Sequence, residues 1–362
     1  MIIQSKPMPK LKHYFHRNNN IGLFFYKLGR LALLDCLLRF GLEKGDSIIV
    51  PSYICFSTIE PLKSYGFEII YLEPNDNLSY DIEILKATVE NGNRIKAILL
   101  VYFFGLNVNF SETYDLMKKF NIKVINDFSH SCFMKIKSSN SEENADASIY
   151  SFRKSLPVYD GGALSIAGHC QSNIEIKSCL SKISTLIYFI SRNLEKIICS
   201  VNINIYSQFV TYLRSIRSHS DKTNLDHLAQ CKPSKLLVNI LSDNIYMSSS
   251  EKRIRQNLLY LISNIDNKKI NIFLKDSSLD SVPQALILRD NSGLLCGYLR
   301  KNGIGAWKWP DNEIPEEVSS NLKKFPIANR LNNELVLVPI HQDLGMKQMS
   351  FIIEKLAIGD FK

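Results

Sequence analysis

Ala97-Ile98-Leu99-Leu100-Val101-Tyr102-Phe103 is a seven-residue run without a charge. It does not alternate between apolar and polar, so it does not read as a strand with one wet face. A run this short and this apolar reads as a strand covered on both faces, the usual state of strands in a parallel sheet. Working outward, Glu112–Phe120 reads as a helix and Lys123–Ile125 as the next strand, ending at Asn126-Asp127. Upstream, Ser47–Val50 is a short strand stopped by Pro51, Thr58–Tyr65 a helix, Glu68–Leu72 a strand and Ile82–Glu90 a helix. Leu31–Phe40 is the opening helix, closed by Gly41 and the turn Lys44-Gly45-Asp46. Ser148–Ser151 and Gly162–Ile166 add two strands. Repeated strand–helix–strand units imply an α/β fold, a large mostly parallel sheet with helices on both faces. Ligands of such sheets gather at the carboxyl ends of the strands. Pro51–Ser57, Asp127–His130 and Ser151–Gly162 all fall there.

Residues 170–260 change character, with Ile, Leu and Tyr at helical spacing and a long helix across Ser248–Ile265. Beyond Asp266 the pattern is that of a smaller α+β unit. Ala285–Arg289 and Glu334–Val338 read as strands there, and Gly293–Asn302 and Met349–Leu356 as helices. The division expected is 1–245 for the large domain, with 170–245 a divergent helical segment, and 246–362 for the small C-terminal domain.

With 362 residues, 45% hydrophobic and 22% charged, the chain has the composition of an ordinary globular protein. It is long enough to bury a core without disulfides or structural metals. The net charge of +9 is spread along the sequence, and the doublets Lys118-Lys119 and Lys268-Lys269 are too short for a nucleic-acid surface. Eight cysteines form no CxxC pair and no zinc-ligand spacing, so no metal site is expected and reduced thiols in a cytoplasmic protein are. Ile197–Leu213 is uncharged but interrupted by Ser200, Asn202, Asn204, Ser207 and Gln208, too polar for a membrane span.

Two residues carry the chemistry. Asp127 ends an apolar strand just before Phe128-Ser129-His130, where a carboxylate serves either as a turn or cap acceptor or as a group aimed into a cleft. Lys154 follows a strand and precedes Asp160-Gly161-Gly162. Its amine is either solvated or the partner of a carbonyl cofactor. Pyridoxal 5′-phosphate (PLP) needs such a lysine, a carboxylate for its pyridine nitrogen and a cradle for its phosphate. Gly29-Arg30-Leu31, opening a helix, offers amide N–H groups at a positive dipole end.

These motifs, in their order, resemble those of the DegT/DnrJ/StrS family of sugar aminotransferases, PLP-dependent enzymes of fold type I. Gly29-Arg30-Leu31-Ala32-Leu33 resembles the family's phosphate-binding helix start, and Leu42–Tyr53 its GL-x-x-GD-x-V-I-V-PSY run. Val124–His130 resembles VIEDAAH, and Ala145–Phe152 resembles GD-x-x-x-FSF. Lys154 stands at the family's distance from the acidic-Gly-Gly turn, and Val338–Leu344 resembles LP-x-H-x-x-L. The resemblance runs from about Gly29 to Leu356 and is poor across 170–245.

The resemblance implies roles for individual residues. Lys154 would bind PLP covalently and shuttle the substrate proton. Asp127 would pair with the pyridine nitrogen, and His130 would contact the 3′-oxygen side. Ser151, Arg30 and the Leu31 amide would bind the phosphate, and His341 would line the substrate side. Arg30 stands where many relatives have Thr, and a guanidinium fork suits a phosphate. Cys55 falls where many relatives stack an aromatic ring on the cofactor, leaving Tyr53 or Phe56 to supply that cover. The N-Y-R-M segment that many relatives contribute across the subunit interface has no clear match. The implied activity is transfer of an amino group from an amino acid, L-glutamate by the family's usage, to a nucleotide-linked keto-sugar. It would serve surface polysaccharide or aminosugar biosynthesis and run in a homodimer. Two alternatives stand beside it. One is a sugar dehydratase, although such relatives carry His in place of the lysine. The other is a non-catalytic or regulatory relative.

Overall fold

The computed structural model describes residues 1–7, 23–133, 145–167, 177–178, 190, 231–232, 234–266, 269–279, 281–310 and 314–359. The large sheet begins with β1 (Phe24–Tyr26), followed by α1 (Gly29–Arg39), β2 (Ser47–Pro51), α2 (Phe56–Tyr65), β3 (Glu68–Leu72) and α3 (Ile82–Asn91). It continues with β4 (Ile95–Val101), α4 (Ser111–Lys119), β5 (Lys123–Asp127), β6 (Ala147–Ser151) and β7 (Gly162–Ile166). Spatial order is β1-β7-β6-β5-β4-β2-β3. From β3 to β6 every neighbour is parallel, while β7 runs antiparallel to both β6 and β1. The expected mostly parallel α/β sheet is therefore present. β4 lies inside it, and its last five residues are all buried, as its unbroken apolar run requires.

Where boundaries differ from the sequence expectation, they do so by one to four residues. Phe103 is not in β4: Phe103–Gly105 form a 3-10 turn in which Phe104 takes a left-handed backbone (φ 58°, ψ 8°) and swings the chain off the sheet. β1 was not expected, being three residues at the sheet edge. α1 starts at Gly29, two residues early, because its first turn is set by packing and not by apolar side chains.

Beyond the sheet come β8 (Lys177–Ser178) and β9 (Cys231–Lys232), a short parallel pair, then α5 (Lys235–Ser242) and α6 (Asn244–Asn264). The remaining helices expected within 170–245, and Ile197–Leu213, lie outside the described residues. The smaller unit contains β10 (Asn271–Ile272), α7 (Lys275–Leu279), β11 (Ala285–Arg289), α8 (Leu295–Lys301), α9 (Glu316–Ser319), α10 (Pro326–Glu334), β12 (Leu335–Pro339) and α11 (Met346–Ile358). Its three strands form an antiparallel sheet, β10-β11-β12, and α11 packs on α6. Ile3 bridges to Ile304, so the first residues of the chain lie on this unit, and the 245/246 boundary falls two residues into α6.

Two devices hold the layers together. Glu73, just past β3, accepts the N–H groups of Ile327 (2.5 Å) and Ala328 (3.0 Å) and the Ser52 hydroxyl. A carboxylate at the first turn of α10 satisfies donors the helix itself cannot. The second device is Gly162. A Cβ there would stand 2.2 Å from the carbonyl carbon of Leu28 and 2.6 Å from Gly29 N. Its bare backbone lets the start of α1 close onto β7.

Gly162→Ala therefore forces main chain against main chain and should cost about 3 kcal/mol. Gly45→Ala, at φ +83° in open space, should cost only about 1 kcal/mol. Urea unfolding of both variants checks this, and equal losses would remove the packing role given to Gly162.

Candidate active site

The carboxyl ends of β4, β5 and β6 are in register, Val101 beside Asp127 and Asp127 beside Ile149. The residues that follow these strands converge there. Asp127 is buried, and its Oδ1 accepts the Ser129 N–H at 2.8 Å. Asp127 thus makes the turn that the sequence allowed, and its charge also acts on Lys154. The turn carries His130 inward, where it is 4% exposed. His130 Nδ1 accepts the Phe104 N–H at 3.2 Å, and Nε2 stands 3.0 Å from Lys154 Nζ. Its ring is parallel to that of Phe104 at 5.7 Å, and Trp309 meets it edge-on at 4.9 Å. Burial, followed by the Lys154 charge, holds the imidazole well below the usual histidine range.

Lys154 ends a 3-10 turn, Phe152–Lys154, that leaves β6 directly. Burial pushes its amine below the ordinary lysine value; Asp127 and Cys55 oppose the shift and Arg153 adds to it. Gln284, at the entrance to β11, donates its side-chain N–H to the Lys154 carbonyl at 2.9 Å. Asp160, in the loop after Lys154, is buried and accepts both the N–H (2.8 Å) and hydroxyl (2.7 Å) of Ser234. Ser234 caps α5, so the Gly-Gly turn is tied to that helix.

The first turn of α1 sits beside this group. A Cβ on Gly29 would lie 3.1 Å from the Tyr150 carbonyl, 3.3 Å from Ser151 Cβ and 3.6 Å from Ser129 Oγ. No side chain caps the helix. Its first N–H groups, those of Gly29 and Arg30, have no acceptor within the helix. The Leu31 N–H donates to the Leu28 carbonyl at 3.1 Å. Ser151 is buried against the same turn, and Ser129 joins it, a residue the sequence reading did not single out.

Cys55 is the residue before α2, half-buried, with Sγ 3.0 Å from Ser57 Oγ. Of the two rings expected to replace an aromatic there, Tyr53 is fully buried, packed on Phe103 (5.4 Å) and Trp309 (5.0 Å), whereas Phe56 is 43% exposed. His341 lines the cleft beside Lys154, Gln284 and Gln342. Its Nε2 is 2.9 Å from the Gln4 carbonyl, and its Nδ1 accepts the Asp343 N–H at 3.4 Å. In this position it fastens the N-terminal segment, which brings Ser5 and Pro7 into the cleft wall. The His341 turn is held from below by buried Asn257, whose Nδ2 reaches the carbonyls of Ile340, His341 and Leu344 at 3.1–3.3 Å. Phe104, Trp309, Gln284 and Asn257 carried no motif. The one legible hint was an aromatic before glycine, Phe104-Gly105, at a strand's end.

A lysine whose amine is driven toward its uncharged form, a strand-end carboxylate beside it, and an uncapped helix start flanked by two serines form a set of donors that fits pyridoxal 5′-phosphate. The sheet order and its antiparallel β7 are those of fold type I. The family model of the DegT/DnrJ/EryC1/StrS aminotransferase family matches residues 26–174, from the end of β1 past β7. That span includes Asp127, His130, Ser151 and Lys154. It is 22% identical over 328 residues to the dTDP-3-amino-3,6-dideoxy-alpha-D-galactopyranose transaminase of Aneurinibacillus thermoaerophilus, covering 89% of this chain and 81% of that one. It is 38% identical over 92 residues to the GDP-4-keto-6-deoxy-D-mannose 3-dehydratase of Escherichia coli O55:H7, 25% of this chain and 20% of the relative. The fold is also that of a DegT DnrJ EryC1 StrS aminotransferase from Brucella abortus, with a TM-score of 0.64 at 16% identity over 92% of this chain and 85% of that one. Among the described residues no helix is long and apolar enough to cross a membrane.

Asn257→Asp keeps the shape but turns a donor into an acceptor facing three carbonyls. It should destabilise the chain by about 3 kcal/mol, more than Asn257→Ala. Urea midpoints of the two variants give the order, and the reverse order would show that Asn257 does not hold the His341 turn by donation.

Proposed function

We propose that this chain is a PLP-dependent aminotransferase that moves an amino group from an amino acid, L-glutamate in this reading, to a nucleotide-linked keto-sugar. The observation that carries it is the Lys154 amine, 3.0 Å from His130 and under the charge of Asp127, at the carboxyl ends of the strands. The likeness to a dTDP-sugar transaminase over most of both chains supports a sugar nucleotide as acceptor. Its amino product would feed surface polysaccharide or aminosugar assembly. The short match to a sugar dehydratase supplies the second reading; the lysine at 154 favours transamination over it.

When bound, PLP supplies an electron sink conjugated to the substrate nitrogen. Lys154 would hold it covalently, and its amine, once displaced, would carry the proton on and off the substrate carbon. The Asp127 carboxylate would hold the proton on the pyridine nitrogen. The Gly29 and Arg30 amides, the Arg30 guanidinium and the Ser151 hydroxyl would bind the phosphate. His130 would sit at the 3′-oxygen side, and Cys55 near the lysine. His341 serves the substrate side through the turn and strap it fastens.

We further infer a homodimer, the commonest soluble assembly, and a cytoplasmic enzyme, the compartment suited to reduced thiols such as Cys36, Cys55 and Cys132. Light scattering of the loaded protein should give twice the 41.4 kDa chain mass. Full activity at the mass of one chain would remove the dimer from the account.

The decisive assay supplies glutamate with a panel of keto-sugar nucleotides and follows 2-oxoglutarate. Formation that depends on a sugar nucleotide supports the reading, and none across the panel counts against it. Asp127→Asn should lower turnover by well over tenfold, because an uncharged partner no longer holds the ring proton. Near-normal turnover at full cofactor content would reject that role.

A further inference from the structure

Four hydrogen bonds close a ring through Lys154. The Phe104 N–H donates to His130 Nδ1 at 3.2 Å, and His130 Nε2 meets Lys154 Nζ at 3.0 Å. Gln284 completes the circuit. Its side chain donates to the Lys154 carbonyl at 2.9 Å, and its backbone N–H donates to the Phe104 carbonyl at 2.7 Å. The members come from the turn after β4, the turn after β5, the turn after β6 and the entrance to β11, so both units of the fold contribute.

The chemistry of the groups sets the direction of the ring. A backbone N–H can only donate, so Nδ1 must accept and carries no proton. A neutral imidazole then has its single proton on Nε2. That proton faces Lys154 Nζ, which accepts it only with a lone pair, and an ammonium has none. The turn that aims the Phe104 N–H is built for one geometry. Phe104 is left-handed, and Gly105 follows at φ +80°. A Cβ on Gly105 would stand 2.9 Å from the Val282 carbonyl and 3.0 Å from that of His130.

We propose that Phe104, as a positioning residue, fixes His130 in its Nε2–H tautomer, and that this tautomer presents Lys154 as an uncharged amine before any cofactor arrives. The inference deepens the function proposed above and rests on Lys154 being the cofactor-bearing lysine. Condensation with an aldehyde needs that form: the nitrogen lone pair bonds the carbonyl carbon, and both amine protons leave with the oxygen as water. Other groups act on the same amine. Burial and Arg153 push it toward the uncharged form, and Asp127 and Cys55 push it back. The His130 donation adds to the first pair, since a hydrogen bond to the neutral form favours that form.

The test uses the full chain freed of cofactor. Long-range proton–nitrogen NMR, with the His130 signals identified by their loss in His130→Gln, should show a pyridine-type Nδ1 and a pyrrole-type Nε2 at pH 7 to 8. Acetic anhydride, which labels only uncharged amines, is then applied across pH and Lys154 acetylation read by mass spectrometry. The midpoint should fall at least about one unit below the ~10.4 of a free lysine. His130→Gln should keep it, because an amide offers an oxygen to the Phe104 N–H and an N–H to Lys154. His130→Ala should raise it by about one unit. A protonated Nδ1, or an unchanged midpoint in His130→Ala, overturns the proposal. Should His130→Ala fail to fold, the tautomer of the unaltered chain decides alone. A chain that gives these results yet transfers no amino group would overturn the proposed function and support this inference.

Discussion

The approach of Leu28 and Gly29 to the Gly161-Gly162 turn is the constraint on which the site depends. Any side chain at 162 would collide with the Leu28 backbone, 2.2 Å away. With none, α1 seats its first turn against the ends of β6 and β7, and its buried face of Leu31, Ala32, Leu33, Leu34, Cys36 and Leu37 follows. One contact between backbones thus fixes both the core packing of a helix and the position of its positive end. The same turn is pinned from the other side by Asp160, whose carboxylate takes two donors from Ser234. Between the strand and the pinned turn, the chain first makes a short 3-10 turn, and Lys154 ends it.

The polar groups at the strand ends are buried but matched. Asp127 has the Ser129 N–H, His130 has the Phe104 N–H and the lysine, and the lysine carbonyl has Gln284. In a low-dielectric setting such satisfied chains hold side chains in single orientations, which a reactive group requires. Gln284 belongs to the smaller unit, so its bond to the Lys154 carbonyl ties that unit to the lysine. The Glu73 contact with the start of α10 ties the two together beyond β3.

Much of the fold was legible because burial on both faces leaves a plain sequence signature. The expected Glu68–Leu72, Gly162–Ile166 and Ala285–Arg289 match observed strands residue for residue. α10 was not legible: Pro326-Ile327-Ala328-Asn329-Arg330-Leu331-Asn332-Asn333-Glu334 is mostly polar, and its cap is Glu73, some 250 positions away. The site divides in the same way. Asp127, His130 and Lys154 could be read from their places after strands, and the structure brings them together. Phe104 acts through its backbone, Gln284 arrives from a distant strand, and neither role leaves a pattern in the local sequence. The helix start at Gly29 could be singled out from sequence, but not its hydrogen bonding, since the Leu31-to-Leu28 bond is a detail of the first turn.

The central claim is that Lys154 is the lysine that bears the cofactor. Borohydride reduction of the pyridoxal phosphate-loaded protein, followed by peptide mapping, tests it most directly. The account predicts loss of the visible colour and one phosphopyridoxyl group on the peptide containing Lys154. A label on another lysine, or a coloured protein that leaves Lys154 unmodified after reduction, would contradict it.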